Sequence, residues 1–149
     1  MQCSSVDYTT FLRATRMLTR DEREVHRAYE RAVFNVVFHN RDDHPKNFSF
    51  RLGRDRRWRL APCYDLTFSE GPGGEHHMDV CGVGRNITRA HMLELARQAG
   101  LVEAWAATTI DRFIAEAGAL RQLGLKAPIR KATLQRVEAA VATNRGWLR

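Results

Sequence analysis

Cysteine is scarce in this sequence of 149 residues, and the three that occur are odd in number and far apart, at Cys3, Cys63 and Cys81. That usage argues against a disulfide framework and predicts reduced thiols. Long apolar runs are missing too, since no stretch approaches the ~20 residues of a membrane-spanning helix. Residues 1–5 do not show the basic and then apolar pattern of a secretory signal. These absences predict a cytoplasmic protein that does not associate with membranes.

Closely paired metal ligands are also lacking. The sequence has six histidines but no C-x-x-C or H-x-x-x-H pair, the spacings that are typical of structural zinc sites. His76, His77 and Cys81 lie close together in the sequence, and with Cys63 they form the one alternative zinc set. The simpler interpretation places His76 and His77 on the surface of a polar loop.

Positive charge is what the sequence has in excess, with a formal net charge of +7 and a pI of about 10.0. This balance favours an anionic partner, which could be a nucleotide, a nucleic acid or an acidic protein surface. Arginines recur every three or four residues near the start, at Arg13, Arg16, Arg20, Arg23, Arg27 and Arg31. They would form one basic stripe if the helices that carry them were collinear. Acidic residues interrupt the series and favour a solvated, ion-paired face instead, with a nucleic-acid surface as the alternative.

The hydrophobic pattern predicts one mainly helical domain over residues 1–149, with a small central β-hairpin. Apolar residues at helical spacing predict a helix at 8–18 and a second one ending near Phe38, with Thr19 as N-cap and Glu22 completing a capping box. The period then changes to two, which predicts strands at 48–52 and 58–60 around a turn at 53–56. Further helices are predicted at 88–99, capped by Thr88, and at 102–119 and 129–144.

The loop between the second helix and the hairpin carries the chemistry. Arg41 and Asp42 are followed after four residues by Asn47, which is the R-D-x-x-x-x-N spacing of protein kinase catalytic loops. A second carboxylate, Asp65, follows the hairpin. Asp42 is predicted to accept the proton of the attacking hydroxyl, and Asn47 and Asp65 to bind Mg²⁺ through oxygen. The alternative is that Asp42 and Asn47 are turn residues.

Three further features of this region have two interpretations each. His44 is predicted to assist Asp42, by fixing it or by donating to a phosphate oxygen, but it could also be a structural hydrogen-bonding residue. Lys46 is a weak candidate for phosphate binding and could equally be solvated. Gly82 and Gly84 precede a helix and could cradle phosphate, although a turn is the simpler role.

Two sequence blocks resemble the HipA-like serine/threonine kinases of bacterial toxin–antitoxin systems. They are Asn40-Arg41-Asp42-Asp43-His44-Pro45-Lys46-Asn47-Phe48-Ser49 and Trp58-Arg59-Leu60-Ala61-Pro62-Cys63-Tyr64-Asp65-Leu66. The resemblance implies a kinase-like C-terminal lobe, with Asp42 as catalytic residue and Asn47 and Asp65 as Mg²⁺ ligands. It implies ATP as the phosphate donor and a protein serine or threonine as the acceptor, in some members on an aminoacyl-tRNA synthetase. It also implies an antitoxin partner, and contact with DNA through that partner.

The sequence departs from a complete kinase in one respect. Only 41 residues precede Asp42, they are predicted to be helical, and the first lysine of the chain is Lys46. A kinase also needs an N-terminal lobe with a sheet, a phosphate-covering loop and an ATP-pairing lysine. We therefore expect a C-terminal lobe that needs a separate N-lobe and has little or no kinase activity alone. The alternative is a non-catalytic module that binds an antitoxin, DNA or both, and a lipid-kinase-like relative is a third, weaker interpretation.

Overall fold

Helices dominate the computed structural model, which describes residues 6–149, so that Cys3 and the other early residues lie outside the described part. The elements are α1 (Tyr8–Thr19), α2 (Glu22–Val37), β1 (Phe50–Leu52), β2 (Trp58–Leu60), α3 (Arg89–Gln98), α4 (Glu103–Ala117), α5 (Leu120–Leu125) and α6 (Lys131–Leu148), with single 3-10 turns at Pro45–Asn47 and Pro72–Gly74. The predicted fold class, mainly helical with one hairpin, is confirmed. None of the helices in the described range has the length and apolar character needed to cross a membrane.

The corner between α1 and α2 differs from the prediction in its cap. Asp21, not Thr19, is the N-cap of α2, because its side chain accepts a hydrogen bond from the backbone N–H of Arg23. Thr19 is instead the last residue of α1. Glu22 does not close a capping box, since its carboxylate pairs with Arg16 at 2.6 Å. Two cap-forming residues lie within three positions here, and the ion pair to α1 is available only in the folded chain.

Helices α1 and α2 pack against each other after a left-handed residue, Arg20, ends α1. They are therefore not collinear, and the single arginine stripe that collinearity would have produced does not form. Arg23 pairs with Asp21 at 2.9 Å and Arg27 with Glu24 at 2.7 Å. Arginines at the corner between the two helices therefore border a cleft rather than a continuous face.

One hydrophobic core joins α1, α2, α3, α4 and α6. Its largest fully buried side chains include Tyr8, Tyr29, Met92, Ile110 and Leu148, one from each of these helices. Each such side chain stabilises the fold by roughly 1.5–3 kcal/mol when it leaves water. The core thus extends to the penultimate residue of the sequence.

The hairpin is short and is tied to α2. Phe50 pairs with Leu60 and Leu52 with Trp58 in antiparallel register. The first strand begins two residues later than predicted, because Phe48 packs its ring against Phe11, with ring centroids 4.5 Å apart. Beyond the hairpin, Thr88 caps α3 as predicted. Helix α5 was not predicted, since it has only six residues and no side-chain cap.

Candidate active site

Three of the residues selected from the sequence line one small cleft. These residues are Asp42, Asn47 and Asp65. Asn40 and Tyr64 also line the cleft. Asp42 and Asn47 come from the loop after α2, and Asp65 from the segment after β2. Residues separated by the whole hairpin are therefore neighbours in space.

The loop after α2 is closed by hydrogen bonds between its own residues. The chain leaves the helix through His39 in a left-handed conformation, with φ of 58°. The backbone N–H of Asn40 donates to the carbonyl of Asn35 at 2.9 Å, which turns the chain back. Farther along, Nδ2 of Asn47 donates to the backbone carbonyl of Asp42 at 2.8 Å. That bond fixes Asn47 beside Asp42 and leaves Oδ1 of Asn47 available to a ligand.

The segment that carries Asp65 is held against the same loop. The Tyr64 hydroxyl donates to the carbonyl of Lys46 at 2.9 Å. On the other side of Asp65, Asn40 and Ser69 form a parallel β-bridge. Asp65 itself has a φ of 53°, a conformation that aspartate tolerates better than most residues. The exposed Asp65 side chain is thus anchored from both directions along the chain.

Asp42 and two histidines form a polar cluster at the loop. The Asp42 side chain is 41% exposed, and Nε2 of His77 lies 3.5 Å from its Oδ1. Nδ1 of His44 accepts a hydrogen bond from the backbone N–H of Lys46, so a neutral His44 ring carries its proton on Nε2. The His44 ring meets the edge of the His77 ring, with centroids 5.1 Å apart. The Lys46 residue is exposed at the rim.

Asp43, which the sequence analysis did not select, is the most connected side chain of the region. Its side chain is completely buried. One oxygen accepts from the Tyr8 hydroxyl at 2.6 Å and from Nδ1 of His76 at 2.7 Å. The other accepts from the backbone N–H of His77 at 2.8 Å. Asp43 therefore joins the loop after α2, called the catalytic-type loop because of its kinase-like spacing, to α1 and to the segment around residue 76. The expectation that His76 lies on the surface was wrong.

The electrostatics of this buried network favour an ionised Asp43. Burial alone raises the pKa of Asp43, but hydrogen bonds from His76 and Tyr8 and the charge of His76 outweigh it, and the pKa is lowered. The pKa of Tyr8 is raised well above its ordinary value by burial and by the neighbouring Asp43. The pKa of His39 is lowered by burial and also by the positive charge of Arg41. Asp43 is thus a fixed negative charge beside the exposed Asp42.

The family model of the HipA-like C-terminal domain matches residues 2–120 of this sequence. The chain belongs to that family. A HipA structure agrees in fold: the Shewanella oneidensis MR-1 toxin–antitoxin complex of HipA, HipB and operator DNA matches with a TM-score of 0.76 at 16% identity. The match covers 96% of this chain and 35% of that one, so the chain spans about a third of the HipA length. No curated protein matches the sequence. The resemblance drawn from the two sequence blocks is confirmed at the level of the family.

The HipA-like cleft offers oxygen atoms to a hard cation. Oδ1 of Asn47 and the carboxylate of Asp65 border it, and Oδ1 of Asn40 is buried there without a hydrogen-bond partner among residues 6–149. Mg²⁺ prefers such ligands and commonly takes only one or two carboxylates from the protein. In the same range, no three His, Cys, Asp or Glu side chains are grouped closely enough to hold a metal by themselves. The zinc alternative is therefore left without a ligand cluster, whereas the oxygen atoms at the cleft are of the type that Mg²⁺ prefers.

The segment that carries the buried histidine has a signal in its sequence, because the apolar Met78 and Val80 alternate with the polar His77 and Asp79. In the structure His76, Met78 and Val80 are buried and the residues between them are partly exposed. This is the period of two, here without a regular strand. Gly82 lies in the turn that closes this segment, next to the bridge between Val80 and Val83. A turn, the simpler interpretation of these glycines, agrees with the structure at Gly82, whereas Gly84 follows the turn.

Proposed function

We propose that this chain is the C-terminal catalytic lobe of a HipA-type protein serine/threonine kinase that uses Mg²⁺ and ATP. The convergence of Asp42, Asn47 and Asp65 on one cleft carries the proposal. The spacing in the first loop and the position of Asp65 after a hairpin match the parts that phosphoryl transfer needs, which are a proton acceptor and oxygen ligands for the metal. A merely structural turn would not require an exposed carboxylate from a separate segment at the same place.

Asp42 acts as the proton acceptor in this proposal. Its carboxylate is half-exposed and accepts no hydrogen bond from residues 6–149 that would occupy its lone pairs. It can therefore accept a bond from a substrate hydroxyl and take up the proton as that oxygen attacks phosphorus. The bond from Asn47 to its carbonyl and the buried side chain of Asp43 hold the backbone on both sides. Positioning of this kind is a large part of catalysis in phosphoryl transfer.

Asn47 and Asp65 would hold Mg²⁺ through Oδ1 and the carboxylate. The metal neutralises charge on the phosphate oxygens when it is bound. His44 would donate from Nε2–H to a phosphate oxygen or to Asp42, because its Nδ1 accepts from the backbone N–H of Lys46. Lys46 supplies a mobile positive charge at the rim.

A second lobe belongs to the proposal. Within residues 6–149 the only sheet has two strands, and no lysine precedes Lys46. An ATP-pairing lysine and a cover for the nucleotide would come from another part of a HipA-type enzyme. We expect residues 1–149 alone to transfer phosphate slowly or not at all, because a weakly held nucleotide is poorly positioned. The acceptor would be a protein serine or threonine, and by resemblance one on an aminoacyl-tRNA synthetase.

A non-catalytic module is the second candidate function. The matching Shewanella structure is a complex of HipA with HipB and operator DNA. A chain with the same fold could bind an antitoxin and, through it, DNA. In that case the free carboxylates of the cleft would have no metal or nucleotide to bind.

Paramagnetic NMR with Mn²⁺ in place of Mg²⁺ tests the proposal, because it detects weak binding and does not require turnover. With ATP present, we expect the amide signals of residues 42–44, 46–47 and 64–66 to broaden first. Asp65→Asn should abolish this, since asparagine tolerates the positive φ of Asp65 but lacks its charge. Glu103→Gln, at an exposed position of α4, removes the same charge elsewhere and should leave it unchanged. If the signals broadened equally in the wild type and in Asp65→Asn, the proposed metal site would be rejected and the non-catalytic module favoured.

A further inference from the structure

A second and larger cleft opens between the α1–α2 corner and the hairpin. Its volume is about 1040 Å³, and its walls carry six arginines against two carboxylates. The arginines are Arg20, Arg23 and Arg27 on the helical wall and Arg56, Arg57 and Arg59 on the hairpin wall. The proposed kinase chemistry uses none of these residues.

This arginine cleft is separate from the candidate active site. It lies at the N-terminal end of α2, whereas Asp42 follows the C-terminal end. From Arg23 to Val37 the helix rises by about 20 Å at its usual ~1.5 Å per residue. None of Asp42, Asn47 and Asp65 lines the arginine cleft. A ligand there would bind independently of the metal and nucleotide.

The two walls are fixed to each other by a buried carboxylate. Glu24 is only 4% exposed. Its Oε2 accepts from the backbone N–H of Leu60 at 2.8 Å, and its Oε1 accepts from Arg27 at 2.7 Å. The hairpin is therefore attached to α2 through Glu24, which lines the cleft. The cleft is a built feature of the fold and not a gap between loose side chains.

Half of the arginines have no internal partner. Arg23, Arg27 and Arg59 pair with Asp21, Glu24 and Asp55 respectively. Arg20, Arg56 and Arg57 are exposed, and within residues 6–149 their side chains make no ion pair or hydrogen bond. Three unneutralised guanidinium groups on facing walls create a positive potential that selects an anionic ligand.

Exposed apolar side chains lie among these charges. Trp58 is 42% exposed between Arg57 and Arg59, and Met17 and Leu18 at the opposite wall are 78% and 45% exposed. Guanidinium groups contact phosphates, while an exposed indole offers a face on which an unpaired base can stack. Bases in a duplex are already stacked and cannot use the indole in this way. An acidic peptide would use the charges but would leave the indole without a planar partner.

We propose that the arginine cleft binds single-stranded nucleic acid, with phosphates at Arg20, Arg56 and Arg57 and a base on Trp58. Fluorescence anisotropy of a labelled 12-nucleotide oligo-dT or oligo-U, over a series of salt concentrations, tests this. Arg20→Ala combined with Arg57→Ala should weaken binding about tenfold and flatten the slope of log K against log salt by about 1.4. Trp58→Ala should weaken binding about fivefold, whereas Trp58→Phe, which keeps a stacking ring, should stay within about twofold.

The matched control is Arg130→Ala combined with Arg149→Ala. Both positions are exposed, lie outside the cleft and change the net charge by the same amount. This pair should leave affinity within about twofold. Equal loss in the control would show general attraction to a polyanion and overturn the proposal. So would absence of binding, equal affinity for a duplex without dependence on Trp58, or equally effective displacement by polyglutamate.

Discussion

At the scale of single residues, two adjacent aspartates have opposite environments. The Asp42 side chain is 41% exposed, and that of Asp43 is completely buried. Asp43 accepts hydrogen bonds from three donors, on Tyr8, His76 and His77. The first aspartate is thus available to a ligand, while the second holds the loop in place. This division predicts that substitutions at the two positions will have different effects on stability.

Replacing Asp43 with alanine should lower the free energy of unfolding by roughly 3 kcal/mol, because buried donors on Tyr8 and His76 lose their acceptor. Asp42→Ala, the adjacent control, should change it by less than about 0.5 kcal/mol. Urea unfolding at neutral pH measures both. Similar losses in the two variants would contradict the assigned roles.

The difference in stability between the wild type and Asp43→Ala should depend on pH. The pKa of Asp43 is lowered in the folded state, so its contribution to stability is fully present above the unfolded pKa of about 3.9. That contribution is lost as the pH falls to the pKa of Asp43 in the folded protein. The reason is that the unfolded chain has the higher pKa and takes up the proton at a higher pH than the folded protein does. The gap in unfolding free energy between the wild type and Asp43→Ala should therefore be constant at neutral pH and shrink below about pH 4.

The sequence identified residues whose chemistry depends on local spacing and missed those that depend on distant contacts. Asp42 and Asn47 are five positions apart and lie in one loop. Asp65 returns to that loop after a hairpin, which the alternation of apolar and polar residues predicted. Asp43 acquires its importance from Tyr8 and His76, more than thirty positions away in each direction. No local pattern encodes such a meeting.

At the scale of elements, a buried carboxylate attaches the hairpin to α2. Glu24 of α2 accepts the backbone N–H of Leu60, which no strand partner satisfies. The helices were predictable because their apolar periodicity is long, and the six-residue α5 was not, because it offers fewer than two full turns of pattern. The attachment of the hairpin is likewise invisible to periodicity, since a glutamate in a first helical turn is usually explained by the helix dipole.

Glu24→Ala should release the hairpin from α2. We expect a loss of roughly 2 kcal/mol in unfolding free energy, because the Leu60 N–H is left buried and unpaired. Hydrogen exchange should accelerate at Leu60 and across β1 and β2 before it does so in α3 or α4. Glu22→Ala removes the exposed pair with Arg16 and should cost no more than about 1 kcal/mol, with hairpin exchange unchanged. Slow hairpin exchange in Glu24→Ala would show that other contacts hold it.

At the scale of the whole molecule, the family match and the structural match end at different places. The family model stops at residue 120, whereas the HipA structure aligns with 96% of the chain. Helix α6 lies beyond the family match, yet it contributes Val141 and Leu148 to the common core. Nδ2 of Asn144 also donates to the carbonyl of Val36 near the end of α2, at 2.8 Å. Helix α2, which precedes the catalytic-type loop, is therefore stabilised at its C-terminal end by α6.

Leu148 tests whether α6 is part of one cooperative unit. It is fully buried although it is the penultimate residue, so Leu148→Ala should lower the free energy of unfolding by about 2–5 kcal/mol. Leu125, in α5, is 70% exposed, and Leu125→Ala should change stability by less than about 0.5 kcal/mol. Circular dichroism and the fluorescence of Trp105, which packs on Tyr29 in the core, should give coincident urea transitions for the parent protein and both variants. Trp58 and Trp147 are replaced by phenylalanine in all three proteins, so that Trp105 is the one tryptophan observed. If α6 unfolded separately, Leu148→Ala would split the two transitions, and the support that reaches the catalytic-type loop through Asn144 would be dispensable.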